Sequence, residues 1–144
     1  MRKEESIEIS FHPLQASGGI DIIGGVLDIQ VYQSDKKEYT PDYTLTPLVL
    51  LPRCNATDPS AKEVVGNVNK KLTNVTWHEV EDGKRTQIIA GNANYVITTE
   101  GKEKGKLLVK RNVKPLLPVT LEFRGEYVER SGERMVFQYR YLIR

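Results

Sequence analysis

The sequence predicts an all-β protein with antiparallel sheets. Val, Ile and Thr are abundant, and short apolar segments are separated by Gly, Pro, Asn and Asp at close intervals, which is typical of strands joined by turns. Near the end of the chain, residues 119–124 and 135–143 each place apolar side chains at every second position, with a polar, glycine-containing turn between them. We therefore predict an antiparallel hairpin there, in a chain of 144 residues that suits one domain with a buried core.

The remaining strands are predicted upstream of that hairpin. Residues 94–99 and 105–110 are strand-like and are joined by a turn-rich segment, which predicts a second hairpin. Further strands are predicted at residues 26–33, 45–53, 75–80 and 86–90. Because Pro47 and Pro52 cannot donate ladder hydrogen bonds, the strand at 45–53 is expected at a sheet edge or a bulge.

Residues 58–72 carry signals of a short helix. Asp58-Pro59 is typical of a helix start, and Val64, Val65, Val68 and Leu72 follow at helical spacing. Gly66 interrupts that pattern, so a long loop with one helical turn is the competing interpretation.

The first twenty residues are predicted to form an N-terminal arm, with the domain itself at residues 21–144. The pairs Gly18-Gly19 and Gly24-Gly25 interrupt a pattern that otherwise favours strands. Such an arm could pair with the domain's own edge or with another copy by strand addition.

Composition excludes several classes of protein. A net charge of +2 with 28% charged residues argues against disorder and against a dedicated nucleic-acid binder. The N-terminus has no continuous apolar stretch of the kind a secretory signal needs, and no run approaches the roughly 20 apolar residues of a membrane span. We therefore expect synthesis in the cytoplasm, with no signal peptide and no membrane partner.

No catalytic or metal-binding signature is recognisable. The single cysteine, Cys54, cannot form an internal disulfide, and His12 and His78 have no accompanying Cys or Asp cluster. Trp77 is predicted to face the core, and His78 and Glu79 then point to opposite sides of a strand and do not converge. We expect no cofactor, no metal and no enzymatic activity.

Charge is unevenly distributed along the chain. Residues 1–61 hold 5 Lys+Arg and 9 Asp+Glu, a net −4, while residues 62–144 hold 16 and 10, a net +6. The preferred interpretation is two solvated faces, and the alternative is electrostatic pairing between copies.

A basic stretch with one nearby aromatic residue is the candidate interaction surface. Its cations would neutralise phosphates or an acidic partner surface, and the aromatic ring would add stacking. The residues are Lys102, Lys104, Lys106, Lys110, Arg111 and Tyr95. The preferred interpretation, however, is that the lysines protect an edge strand against aggregation.

From Cys54 onward the spacing resembles an immunoglobulin-type sandwich. Leu48, Leu50 and Cys54 lie where such domains have their second strand, Trp77 lies at the core tryptophan of the third strand, and Gly105-x-Leu107-x-Val109-x-x-Asn112-Val113 resembles the fifth. Residues 118–127 and 135–143 resemble the sixth and last strands. No second cysteine faces Cys54, so the inter-sheet disulfide is absent, and residues 55–72 form a long insertion.

More narrowly, three segments resemble immunoglobulin-like modules in structural proteins of tailed phages and prophages from gut bacteria. They are the run Tyr39 to Leu48, the segment Leu72 to Trp77, and the fifth-strand pattern. The resemblance implies a non-enzymatic structural or attachment module of a virion that docks onto other virion proteins or copies of itself. The alternative is a glycan-binding module of a bacterial surface or saccharide-processing system, with Tyr32, Tyr39, Tyr43 or Tyr95 as a sugar platform.

Overall fold

The computed structural model describes residues 14–58, 66–129 and 131–144. Within these ranges the chain forms strands, turns and one short 3-10 turn at Asn69–Lys71, and no α-helix. The strands are β1 (Gln15–Ile23), β2 (Val31–Gln33), β3 (Glu38–Thr40), β4 (Leu48–Thr57), β5 (Thr73–Glu81), β6 (Lys84–Ile88), β7 (Tyr95–Ile97), β8 (Leu107–Val109), β9 (Val119–Val128) and β10 (Arg134–Ile143).

Two four-stranded antiparallel sheets make the body of the molecule. The first sheet has the order β1-β4-β8-β7, the second has the order β10-β9-β5-β6, and β2 and β3 form a separate two-stranded ribbon. Both sheets contribute fully buried side chains to one core, including Leu50 and Leu107 from the first and Trp77 and Leu121 from the second. The predicted all-β, antiparallel sandwich is confirmed.

The apolar residues at every second position of the C-terminal hairpin point into the core. In β9, Val119, Leu121 and Phe123 are buried while the residues between them are half-buried. β10 pairs with β9 over its whole length, from Arg134 opposite Val128 to Ile143 opposite Val119. The second predicted hairpin also forms, as β7 paired with β8.

The expectation that Pro47 and Pro52 place their strand at a sheet edge or a bulge is wrong, because Pro47 precedes β4 and no bulge interrupts the pairing of Pro52 with β1. β4 lies inside the first sheet between β1 and β8, and its register with β1 is unbroken along nine pairs. Proline is tolerated because the pairing with β8 ends at Leu50. The Pro52 carbonyl points to that side, where it accepts from Asn69 Nδ2 at 2.7 Å. Because the nitrogen of a strand residue points the same way as its carbonyl, the missing N–H faces a gap in the sheet and interrupts no ladder.

The predicted boundary between residues 20 and 21 falls inside one continuous strand. β1 runs from Gln15 to Ile23 and pairs with β4, so the last residues assigned to the arm belong to the first sheet. Gly18 has φ +145° and lies so close to β4 that a Cβ would stand 1.7 Å from the Arg53 carbonyl oxygen. Residues 1–13 of the predicted arm lie outside the described residues.

Two connections differ in detail from the expectation. The strand predicted at 26–33 is reduced to β2, and it pairs with β3, which the sequence pattern did not predict. Of the candidate helix at 58–72, residues 59–65 lie outside the described residues. The part after them contains the 3-10 turn, with Val68 and Leu72 buried.

Candidate functional site

The structure divides the predicted basic stretch between two ends of β8. Lys102, Lys104 and Lys106 belong to the connection that enters β8, whereas Lys110 and Arg111 follow its last residue. Lys102 and Lys110 are exposed. Lys106 Nζ pairs with Glu103 Oε1 at 2.7 Å. The cations therefore do not form one continuous surface.

Lys104 and Arg111 are engaged inside the protein. Lys104 Nζ donates to the Leu72 carbonyl at 2.5 Å, which ties the β7–β8 connection to the chain entering β5. Arg111 Nη2 donates to Glu81 Oε2 at 2.9 Å and Nη1 to Glu79 Oε2 at 3.1 Å, so it links the two sheets at the end of β5. Hydrogen bonding to Arg111 lowers the pKa of Glu81, and hydrogen bonding to Glu81 raises the pKa of Arg111. Glu81 is therefore an ionised partner of the guanidinium.

Tyr95 does not offer a stacking surface, which corrects the role assigned to it. Its side chain is 4% exposed, and its hydroxyl donates to Glu79 Oε2. Burial, together with that carboxylate, raises the pKa of Tyr95. Alternation along β7 places Tyr95 inside and Val96 outside.

Two members of the predicted aromatic platform are also buried. Tyr43 is fully buried and its hydroxyl donates to the Leu27 carbonyl at 2.7 Å, and Tyr95 is buried as described above. Tyr32 and Tyr39 remain, side by side on β2 and β3 with ring centroids 4.7 Å apart and a tilt of 47° between the rings. The ring planes do not form one flat platform.

Trp77, His78 and Glu79 follow the predicted alternation. Trp77 is fully buried and its Nε1 donates to the Gly105 carbonyl at 2.7 Å. His78 lies on the outer face of the second sheet, where burial lowers its pKa, Arg85 lowers it further and Glu122 raises it. Glu79 turns to the other side and meets Tyr95. The three side chains do not converge.

The outer face of the second sheet carries two arginine–glutamate clusters. Glu122 pairs with Arg85 at 2.7 Å and with Arg140 at 3.4 Å. Glu126 accepts from Arg124 at 2.6 Å and Arg134 at 2.7 Å, and also from Asn74 Nδ2. Hydrogen bonds from Asn74 and the two arginines lower the pKa of Glu126 to about 2.

An open apolar groove runs along the side of the sandwich between β6 and β7. These are the outermost strands of their sheets on this side, so among the described residues each has one edge without a strand partner. The groove has a volume of about 610 Å³. Its floor includes Ile88 and Tyr95, both 4% exposed, while Ile89 is 65% and Val96 is 44% exposed. Lys104 lies among the residues that line it.

Sequence reasoning missed this groove, although one signal was available. Ile88 and Ile89 are consecutive, and adjacent strand residues face opposite ways, so one of two large apolar side chains had to lie outside the core. Sequence reasoning also missed two buried or half-buried asparagines that join distant segments. Asn69 Oδ1 accepts from Cys54 N at 3.0 Å, and Asn112 Oδ1 accepts from Tyr43 N at 2.8 Å.

The described residues contain no group of three His, Cys, Asp or Glu side chains placed to hold a metal ion. In the same part of the chain, no helix has the length and apolar character to cross a membrane. Comparisons with protein-family models, with curated proteins and with solved structures found no match.

Proposed function

We propose that this chain is a non-enzymatic, immunoglobulin-like module that acts by protein–protein docking as a structural or attachment part of a phage or prophage particle. The phage assignment is supported by the sequence resemblance of Tyr39 to Leu48, Leu72 to Trp77 and the fifth-strand pattern. The strand order and the distribution of surface side chains support the other parts of the proposal.

Connectivity supports the immunoglobulin-like part. In immunoglobulin domains the first, second, fifth and fourth strands form one sheet in that spatial order, and the seventh, sixth and third form the other. With the β2–β3 ribbon taken as an insertion after the first strand, β1-β4-β8-β7 and β10-β9-β5 follow the same orders. β6 then takes the place of the extra edge strand of variable-type domains. Cys54 and Trp77 are buried on the strands that correspond to the second and third.

One observation carries the docking part: surface carboxylates are held in ion pairs with arginine, whereas several large apolar side chains are exposed to solvent. Glu81, Glu122 and Glu126 are each held by arginine and have lowered pKa values, so they do not hold a proton for acid catalysis near neutral pH. Ile89 and Leu116, by contrast, are large apolar side chains exposed to solvent. Exposed apolar surface beside polar surroundings is typical of protein contact sites.

One observation favours the glycan-binding alternative. Tyr32 is 37% exposed and lies beside Tyr39, and both line a groove of about 480 Å³ that also includes Leu116 and Leu142. A glycan array with the full chain tests it. The alternative expects binding that is lost in Tyr32→Ala and kept in Leu45→Ala, an exposed residue outside this groove. No binding across the array refutes it.

The DNA on both sides of the reading frame tests the phage assignment. We expect neighbouring genes for capsid, tail and packaging proteins. Neighbours that encode transport or glycan-degrading proteins would overturn the assignment and favour the alternative.

A further inference from the structure

We infer that the groove between β6 and β7 receives residues 6–12 of a second copy of this chain, so that copies join head to tail by strand addition. The inference deepens the proposed docking function and rests on it, because it names the partner and the surface. Strand addition uses an unpaired sheet edge for main-chain hydrogen bonds and alternate pockets for side chains.

The groove has the form that an added strand requires. It lies between two unpaired strand edges, and its lining is mainly apolar, with Val75, Ile88 and Ile97 among its residues. β6 has five residues, Lys84–Ile88. Five residues of an added strand would span about 17 Å, the length of β6 itself.

The N-terminal segment has the matching pattern. Ile7, Ile9 and Phe11 occupy alternate positions, and Glu8 and Ser10 lie between them. In a strand all three apolar side chains therefore point to one face. That face supplies the apolar contacts that Ile89 and Val96 lack in the single chain.

Charge complements the apolar match. Residues 6–12 contain Glu8 and neither Lys nor Arg, and they follow Arg2, Lys3, Glu4 and Glu5, whose charges balance. Lys104 lines the groove, and exposed Lys102 belongs to the same connection. The segment therefore brings one carboxylate, that of Glu8, to a groove whose neighbouring connection carries the exposed cation Lys102, while Lys104 keeps its bond to the Leu72 carbonyl.

The chain's own segment cannot fill its own groove with Phe11. Leu14 lies at the opposite side of the sandwich, where its N–H donates to Glu129 Oε1 at 3.4 Å just before β1. The sheet order separates β1 from β7 by three strand spacings, or about 14 Å. Three residues of extended chain, from Phe11 to Leu14, reach about 11 Å at most. The segment with all three apolar side chains, Phe11 included, can therefore enter this groove only from a second copy.

Sedimentation velocity of the full chain over a concentration series tests the inference with two variants. Ile9→Asp damages the segment, and Ile89→Asp damages the groove at an exposed residue outside the strands. We expect the unchanged chain to form larger species as concentration rises, because a head-to-tail contact does not close on itself. Each variant alone should sediment as a monomer.

A mixture of the two variants makes the test specific. The Ile89→Asp chain keeps an intact segment and the Ile9→Asp chain keeps an intact groove, so an equal mixture should form one-to-one dimers and nothing larger. Ser10→Asp, on the other face of the segment, and Leu45→Asp, outside the groove, should associate like the unchanged chain. Thermal midpoints within about 2 °C of the unchanged chain would show that each variant is folded.

Three results would overturn the inference: a monomeric unchanged chain at every concentration, association that survives both single variants, or a mixture that stays monomeric. The second result would assign association to another surface. None of these results bears on the neighbouring genes, so this inference and the phage assignment can fail independently.

Discussion

Replacing Asn69 by alanine should destabilise the sandwich strongly. Asn69 is 1% exposed and stands where β4 has run past the end of β8. Its Oδ1 accepts from Cys54 N at 3.0 Å, and its Nδ2 donates to the Pro52 carbonyl at 2.7 Å and the Lys104 carbonyl at 3.0 Å. The side chain therefore replaces the missing strand partner of β4.

The size of the effect follows from the groups that the substitution leaves without partners. The Cys54 N–H and the Pro52 carbonyl are buried, and each buried unsatisfied group costs about 1–3 kcal/mol. The Lys104 carbonyl is only partly buried and can find water. A water molecule entering the space left by the side chain would lower the total, so we expect a loss of about 2–4 kcal/mol. For a domain of this length that is roughly 6–16 °C in thermal midpoint.

Thermal and urea unfolding of Asn69→Ala and of Asn94→Ala measure this loss. Asn94 is an exposed asparagine in a connection, and its replacement should change the free energy of unfolding by less than about 0.5 kcal/mol. If both variants unfold at the same midpoint and with the same urea dependence, Asn69 does not bridge β4 to the β7–β8 connection and the reasoning is refuted.

Three further outcomes follow from the same structure. Gly18→Ala should push β1 away from the Arg53 carbonyl and cost about 3 kcal/mol or more, seen as faster amide hydrogen exchange across β1; unchanged exchange would contradict the close approach. The pKa of Glu126 is lowered from 4.5 to about 2, so its contribution to stability is complete above pH 4.5 and is lost as pH falls towards 2. Midpoints measured from pH 6 to pH 2 should fall less steeply for Glu126→Gln, and parallel curves would refute this. Burial raises the pKa of the Cys54 thiol to about 12, so a thiol reagent at pH 8 should react only after unfolding, and rapid native labelling would show that the site is open.

Local alternation was sufficient to predict the strands that build the core. In β9, β10 and β5, the apolar face of each strand is the buried face, and Trp77 lies inside as its position predicted. The two hairpins were also predictable, because two strands joined by a short polar turn pair with each other.

Sheet position was not predictable from local signals. Pro52 indicated an edge or a bulge, yet β4 is an interior strand, and proline is tolerated there because the pairing with β8 ends at Leu50. Gly18 and Gly19 indicated a break, yet β1 is continuous because the glycine at 18 permits a close approach to β4. Pro52 and Gly18 each suit a feature of a neighbouring strand. That strand lies far away in sequence, so the residues around each position do not reveal the feature.

The candidate site shows the same limit. Basic residues that are close in sequence, such as Lys106 and Lys110, lie on opposite ends of β8, and Tyr95 is buried against Glu79. The groove between β6 and β7 exists only because the two sheets are stacked, since these strands are the last strands of different sheets on the same side of the sandwich.

The sequence by itself determined the all-β class, the two hairpins and the core residues of β5, β9 and β10, because apolar side chains at every second position of a strand lie on one face. Only the tertiary structure decided which strands are interior, which edges remain unpaired and which asparagines supply the missing main-chain partners. Those properties depend on which strands lie side by side and where each one ends. Neighbouring strands come from distant parts of the chain, so local sequence does not specify them.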